Sequence, residues 1–160
     1  MSKTNELSNL PWITPEGWLD PTKLPIDSTL RQCVSGGRRE LHNGCSVLAM
    51  MVGHGRVEAG VFLLGLLRYY EDDLAALTAI VESLGGFHDR RCVSALVGEL
   101  RRVVSSNTTR RYLDSVIRTL ARLPAAMVSE PLWALAQDAT FSYKIRAKFQ
   151  AAAESLDRDY

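Results

Sequence analysis

The chain has 160 residues, 46% of them hydrophobic and 23% charged, with a formal net charge of +1. That composition excludes a disordered chain and suits one domain with its own core. Near-neutrality excludes a global electrostatic pull towards nucleic acid or acidic lipid. Charge is uneven all the same: from Asp89 to Arg122 there are eight arginines against three acids.

The first 29 residues stand apart. They hold four of the six prolines (Pro11, Pro15, Pro21, Pro25) and two of the three tryptophans (Trp12, Trp18). Proline at this density blocks helix and ladder alike, so the segment is expected to be extended or turn-rich. Its apolar residues make it too greasy for a solvated linker. It reads either as a cap over the open end of a helical array or as a tail that docks on a partner. It shows no apolar stretch of signal-peptide length.

From residue 30 on, apolar residues recur at three- and four-residue steps, the helical period. Seven helices are expected, at 37–51, 56–70, 72–85, 89–104, 108–122, 129–139 and 142–156. Asp72 and Asp73 suit the start of the third, and Gly85-Gly86 suits its end. Asn107 and Ser142 are candidate N-caps, and Pro131 is placed in a first turn, where a missing N–H costs little. The connections are short, so neighbours should pack antiparallel. The longest apolar run, Ala59 to Leu67, has nine residues including two glycines. A bilayer span needs about 20, so no membrane association is expected.

A spacing of 36 residues relates Leu77 to Leu113 and Phe149, Val81 to Ile117 and Ala153, and Leu84 to Leu120 and Leu156. A fainter copy precedes them at Leu41, Cys45 and Leu48. A fixed period of this size marks a repeat array, in which each unit buries its apolar face against its neighbours. The expected fold is all-α, a right-handed α-solenoid of about three to four stacked antiparallel helical hairpins. Residues 1–29 would form its cap and 30–160 the repeat domain.

The stretch AIVESLGGFHDRRCVSALVGEL, Ala79 to Leu100, resembles the HEAT-repeat family in its short bacterial form. The matching residues are Leu84-Gly85, Asp89, Arg91, Val93 and Leu96. The resemblance implies that Asp89 and Arg91 are scaffold, capping a helix and bonding between repeats. It also implies a protein-interaction surface on the concave side. The motif departs from the pattern at Arg90, where a proline is usual, and at Ala125 and Met127 in the next copy.

The candidate partner-binding residues are basic. Arg111, Arg118 and Arg122 share a stripe of the helix at 108–122, and Arg110 and Arg118 each stand four residues from Asp114. Lys144, Arg146 and Lys148 extend the set, and Arg146 lies one period after Arg110. Such a strip suits an acidic protein surface. The alternative is a phosphate backbone, and a plain solvated helix face explains the same charges.

Cys33, His42, Cys45 and His54 are four soft ligand types within 22 residues, but only His42 and Cys45 are closely spaced. Cys45 also falls on the apolar register, which favours a buried thiol over a metal ligand. Three cysteines without a CxxC pair suit a reducing, cytoplasmic setting. No catalytic triad or phosphate loop is recognisable, and no cofactor is expected. Tyr69, Tyr70, Phe87 and His88 near helix ends are contact-type residues or core. The reading is a non-enzymatic protein-binding scaffold, suited by its size to an adaptor or single-target inhibitor, as a monomer or homodimer.

Overall fold

Residues 9–158 are described by a computed structural model. Residues 1–8 of the N-terminal segment lie outside the described residues. Within 9–25 the chain makes a tight turn, with Thr14 N–H on Trp18 O and Asp20 N–H on Trp12 O, both at 2.8 Å. Gly17 takes a positive φ of 89° in that turn, a conformation open to glycine at little cost. Asp20 then accepts from both the N–H and the hydroxyl of Thr22. Pro21 is buried, whereas Trp18 is 73% exposed. Arg56 fastens the segment to the body by donating to the carbonyls of Pro21 and Leu24.

Eight α-helices follow among the described residues: α1 (Ile26–Ser35), α2 (Arg38–Gly53), α3 (Val57–Tyr69), α4 (Leu74–Ser83), α5 (Arg90–Arg102), α6 (Arg110–Ala121), α7 (Ala125–Gln137) and α8 (Tyr143–Arg158). The fold is all-α, and no strand occurs among the described residues. Helix α1 is additional to the seven expected. It crosses the expected boundary at residue 29 because Pro25 stands just before its first turn, with a φ of −62° that leads into a helix. Density of prolines had suggested a breaker where one of them is a start signal.

Helix α7 begins four residues before its expected start. Pro124 occupies the start position, which places Pro131 inside the helix. An internal proline costs a hydrogen bond and strains the preceding turn, about 3 kcal/mol. Burial of Val128, Leu132 and Leu135 on either side holds the helix together. The starts of α4 and α5 follow the expected signals. Asp73 accepts from Ala76 N–H at 3.1 Å to cap α4, and Asp89 accepts from Arg91 N–H at 2.8 Å to cap α5. The Arg91 side chain closes back on Asp89 at 2.9 Å, so this pair is internal to one turn.

Neighbours in sequence pack on one another, α1 on α2, α2 on α3, α3 on α4, α5 on α6 and α7 on α8. Contacts also run α2–α4–α6–α8 and α3–α5–α7. All twelve residues of the 36-residue register are buried, including Leu41, Leu77, Leu113 and Phe149. Apart from the Tyr112–Glu99 bond at 13 residues, every side-chain hydrogen bond between distant parts of the described chain spans 31 to 37 residues. Polar links therefore step by close to the period of the core. No helix among the described residues is long and apolar enough to cross a membrane.

Candidate interaction groove between α6 and α8

Helices α6 and α8 lie side by side, and a groove runs between them. It has two adjoining parts of about 330 Å³ and about 900 Å³, which share Arg110, Asp114, Ile117 and Lys148. Leu113, Ile117 and Ile145 are buried in the core and still reach the floor. Arg110, Arg111, Arg118, Lys144 and Lys148 stand around it. Asp114 is the one carboxylate among the lining residues.

Local sequence explains these placements. In α6 the residues Tyr112, Leu113, Val116, Ile117 and Leu120 turn inward, which leaves Arg110, Arg111, Arg118 and Arg122 on the outer arc. The turn before α6 is built from Ser106, Thr108 and Thr109, with the Thr109 hydroxyl donating to Val104 O at 2.7 Å. Asn107 is therefore not the cap. Its amide oxygen accepts from Arg110 Nη2 at 3.0 Å and steadies that arginine at the groove mouth. Ser142 does cap α8, accepting from Ile145 N–H at 3.4 Å.

Asp114 pairs neither with Arg110 nor with Arg118. Its Oδ1 takes Lys148 Nζ from α8 at 2.6 Å. The cross-helix partner wins because α6 and α8 pack side by side. This link is half-exposed and worth little in stability, yet it removes Asp114 as a counter-charge for the arginines. Arg110, Arg111, Arg118 and Lys144 then have no carboxylate partner among the described residues.

Two of the seven expected residues stand outside the groove. Arg122 lies over the backbone at Gly85, so close that a Cβ there would come within 2.7 Å of its Cζ. Arg146 is one period from Arg110 but does not line the groove, and its Nε is buried without a partner. Arg146 stands to Phe149 and Ala153 as Arg110 stands to Leu113 and Ile117, so the two differ in what neighbours them: the groove lies between α6 and α8.

The Cys/His set is split. Cys33 and Cys45 are buried between α1 and α2, with Cys33 Sγ above Gly44, whereas His42 and His54 are exposed. The neighbouring Cys33 thiol and burial raise the pKa of Cys45. Tyr70 is half-buried and donates its hydroxyl to Cys33 O, and Phe87 is core, covering Gly60. Tyr69 remains 64% exposed.

A buried polar cluster away from the groove is not legible in the basic pattern. Glu99 of α5 is only 7% exposed. Its Oε2 accepts from Arg102 Nε at 2.6 Å and its Oε1 from Tyr112 of α6 at 2.7 Å. Burial pushes the Glu99 carboxyl up, but the bonds from Arg102 and Tyr112 outweigh it and hold the pKa below the usual value. Arg102 also donates to Glu71 O at 3.2 Å, so the cluster links α5 to α6 and to the end of the α3 hairpin. The available signal was a glutamate three residues after Leu96, on the buried face of α5.

Compared with family models, curated proteins and solved structures, the chain matches none of them.

Proposed function

We propose that this chain is a non-enzymatic protein-binding scaffold that takes an acidic segment of a partner protein in the α6–α8 groove. Its architecture in this reading is a short right-handed α-solenoid of four antiparallel hairpins, similar to HEAT repeats. The one-period step of both core register and polar links supports that architecture.

The observation that carries the functional reading is the groove itself. Four cations without carboxylate partners surround an apolar floor, and the single lining carboxylate is already occupied by Lys148. Cations at the rim would steer and select an acidic partner, and an apolar side chain seated on Leu113, Ile117 and Ile145 would anchor it. A phosphate backbone is the weaker fit. It would favour a continuous strip, and Arg122 and Arg146, which would extend one, stand elsewhere. The compact size suits an adaptor or single-target inhibitor in the cytoplasm.

The test is retention of a protein from native lysate on the immobilised chain, after nuclease treatment, compared with two variants. The triple variant Arg110→Glu, Arg111→Glu, Arg118→Glu should lose the bound protein, and the exposed control Arg39→Glu should keep it. A signal abolished by nuclease would move the groove to nucleic acid. Equal loss in both variants would reduce the effect to unspecific charge.

A further inference from the structure

Helix α3 is apolar all round, yet one side of it has no partner. Its only charged residues are Glu58 and Arg68. Ala59, Gly60, Leu63, Leu66 and Leu67 face the core. The opposite arc leaves Val57 52%, Val61 40%, Phe62 39% and Tyr69 64% exposed. A helix with apolar residues on every side is ordinarily covered on every side.

Helix α5 shows that the repeat does not require this. Set one step of 33 residues apart, Val57 corresponds to Arg90, Val61 to Ser94 and Tyr69 to Arg102. These three outward positions are polar on α5 and apolar on α3, whereas Phe62 corresponds to Ala95. Gly65, in the middle of the exposed arc, has nothing within 4 Å of where a Cβ would stand. Gly98, at the matching position of α5, is equally open, and a glycine in mid-helix costs up to about 1 kcal/mol relative to alanine.

We infer that α3 pairs antiparallel with α3 of a second copy of this chain. The placement of charge selects that occupant. Glu58 and Arg68 lie on the exposed arc, five residues either side of Leu63; Glu58 Oε1 already takes Arg56 Nε at 2.8 Å, which leaves its second carboxylate oxygen for a further cation. Antiparallel pairing about that level brings each glutamate level with the other copy's arginine, at both ends at once. The two copies then use one patch twice, the arrangement of a two-fold dimer. Gly65 lets the helices approach closely beside Val61 and Phe62. At 13 residues α3 is about 20 Å long. One helix of that length buries less than the roughly 800 Å² per partner of a standard interface, so association at micromolar rather than nanomolar concentration is expected. The surface is separate from the α6–α8 groove and does not rest on its function.

The experiment is sedimentation equilibrium of the full chain over a concentration series. The mass should rise from 17.8 kDa towards twice that value. Gly65→Lys should abolish the rise with an unchanged or higher melting temperature, because the site is open in the single chain. Glu58→Arg and Arg68→Glu should each weaken association about tenfold or more, and the two together should restore it. A monomer at every concentration would overturn the inference. So would a dimer indifferent to Gly65→Lys, or one that the double reversal fails to restore. A monomer whose Gly65→Lys variant sheds a co-purifying protein would assign the face to a different partner and equally overturn pairing with itself.

Discussion

Replacing Tyr112 by phenylalanine removes one hydroxyl and nothing else from the centre of the molecule. The ring is 2% exposed, and the hydroxyl donates to Glu99 Oε1 at 2.7 Å. Arg102 Nη2 shares that oxygen at 2.9 Å, and Nε holds Oε2 at 2.6 Å. The variant therefore leaves a buried carboxylate with one of its donors gone. A hydrogen bond to a charged group is worth about 1.5–3 kcal/mol net, and retention of Arg102 places the loss near the lower end. For a chain of this size that is a fall in Tm of about 3–6 °C. Glu99→Ala should cost more, about 3 kcal/mol, because it also leaves the tyrosine hydroxyl orphaned in the core. The double variant should show a coupling of about 1 kcal/mol or more.

The pH dependence gives a second, independent sign. Burial raises the Glu99 pKa and the Arg102 and Tyr112 bonds lower it, with a net position below 4.5. A carboxylate with a depressed folded-state pKa contributes its stability above the unfolded value and loses it as pH falls through the folded value. The deficit of Tyr112→Phe should thus be full at neutral pH and shrink once acid drops below 4.5. Urea unfolding across a pH series reads both quantities. A neutral-pH deficit below about 0.5 kcal/mol, or one that stays constant into acid, would refute a charge-assisted bond of this size.

Three further outcomes are expected. Gly44→Ala should destabilise by about 1–3 kcal/mol through overpacking, since its Cβ would stand 2.4 Å from Cys33 Sγ; Gly65→Ala, with open space, should instead stabilise the single chain by about 0.5–1 kcal/mol, both read by thermal melts. Asp138, held by Thr140 and Arg101, and Asp89, held by Arg91, both titrate at about 2 instead of 3.8. Their contribution should be complete above 3.8 and lost as pH falls towards 2, and Asp138→Asn should flatten that limb of the acid-unfolding curve. Asp114→Asn should change stability by no more than about 1 kcal/mol, while freeing Lys148 and steepening the salt dependence of partner binding, measured by titration calorimetry at several ionic strengths.

Period and burial were legible together. Leucines 36 residues apart announced which face of each helix turns inward, and every one of them is buried. Charge was legible as a cluster but not as a site, because what a long side chain meets depends on the helices beside it. Arg110 and Arg146 occupy the same register position, yet only Arg110 lines the groove. Asp114 shows the same limit. Spacing along one helix offered it two arginines, and a lysine 34 residues away took it. Pairing along a helix is set by sequence, whereas pairing across helices is set by packing that the pattern of one helix does not contain.

Proline shows why local signals mislead in both directions. Pro25 was weighed as a breaker and proves to open α1, while Pro131 was weighed as an opener and proves to lie inside α7. The same ring serves either way, because what decides is whether the residues before it can bury an apolar face in helical form. Before Pro25 the chain is held by the turn at Asp20 and by Arg56, so a helix can only begin there. Before Pro131, Val128 is already committed to the core, and the helix runs through. Tertiary burial therefore outweighs a local penalty of about 3 kcal/mol. By the same logic, an apolar arc left uncovered, as on α3, costs free energy that only a further contact recovers.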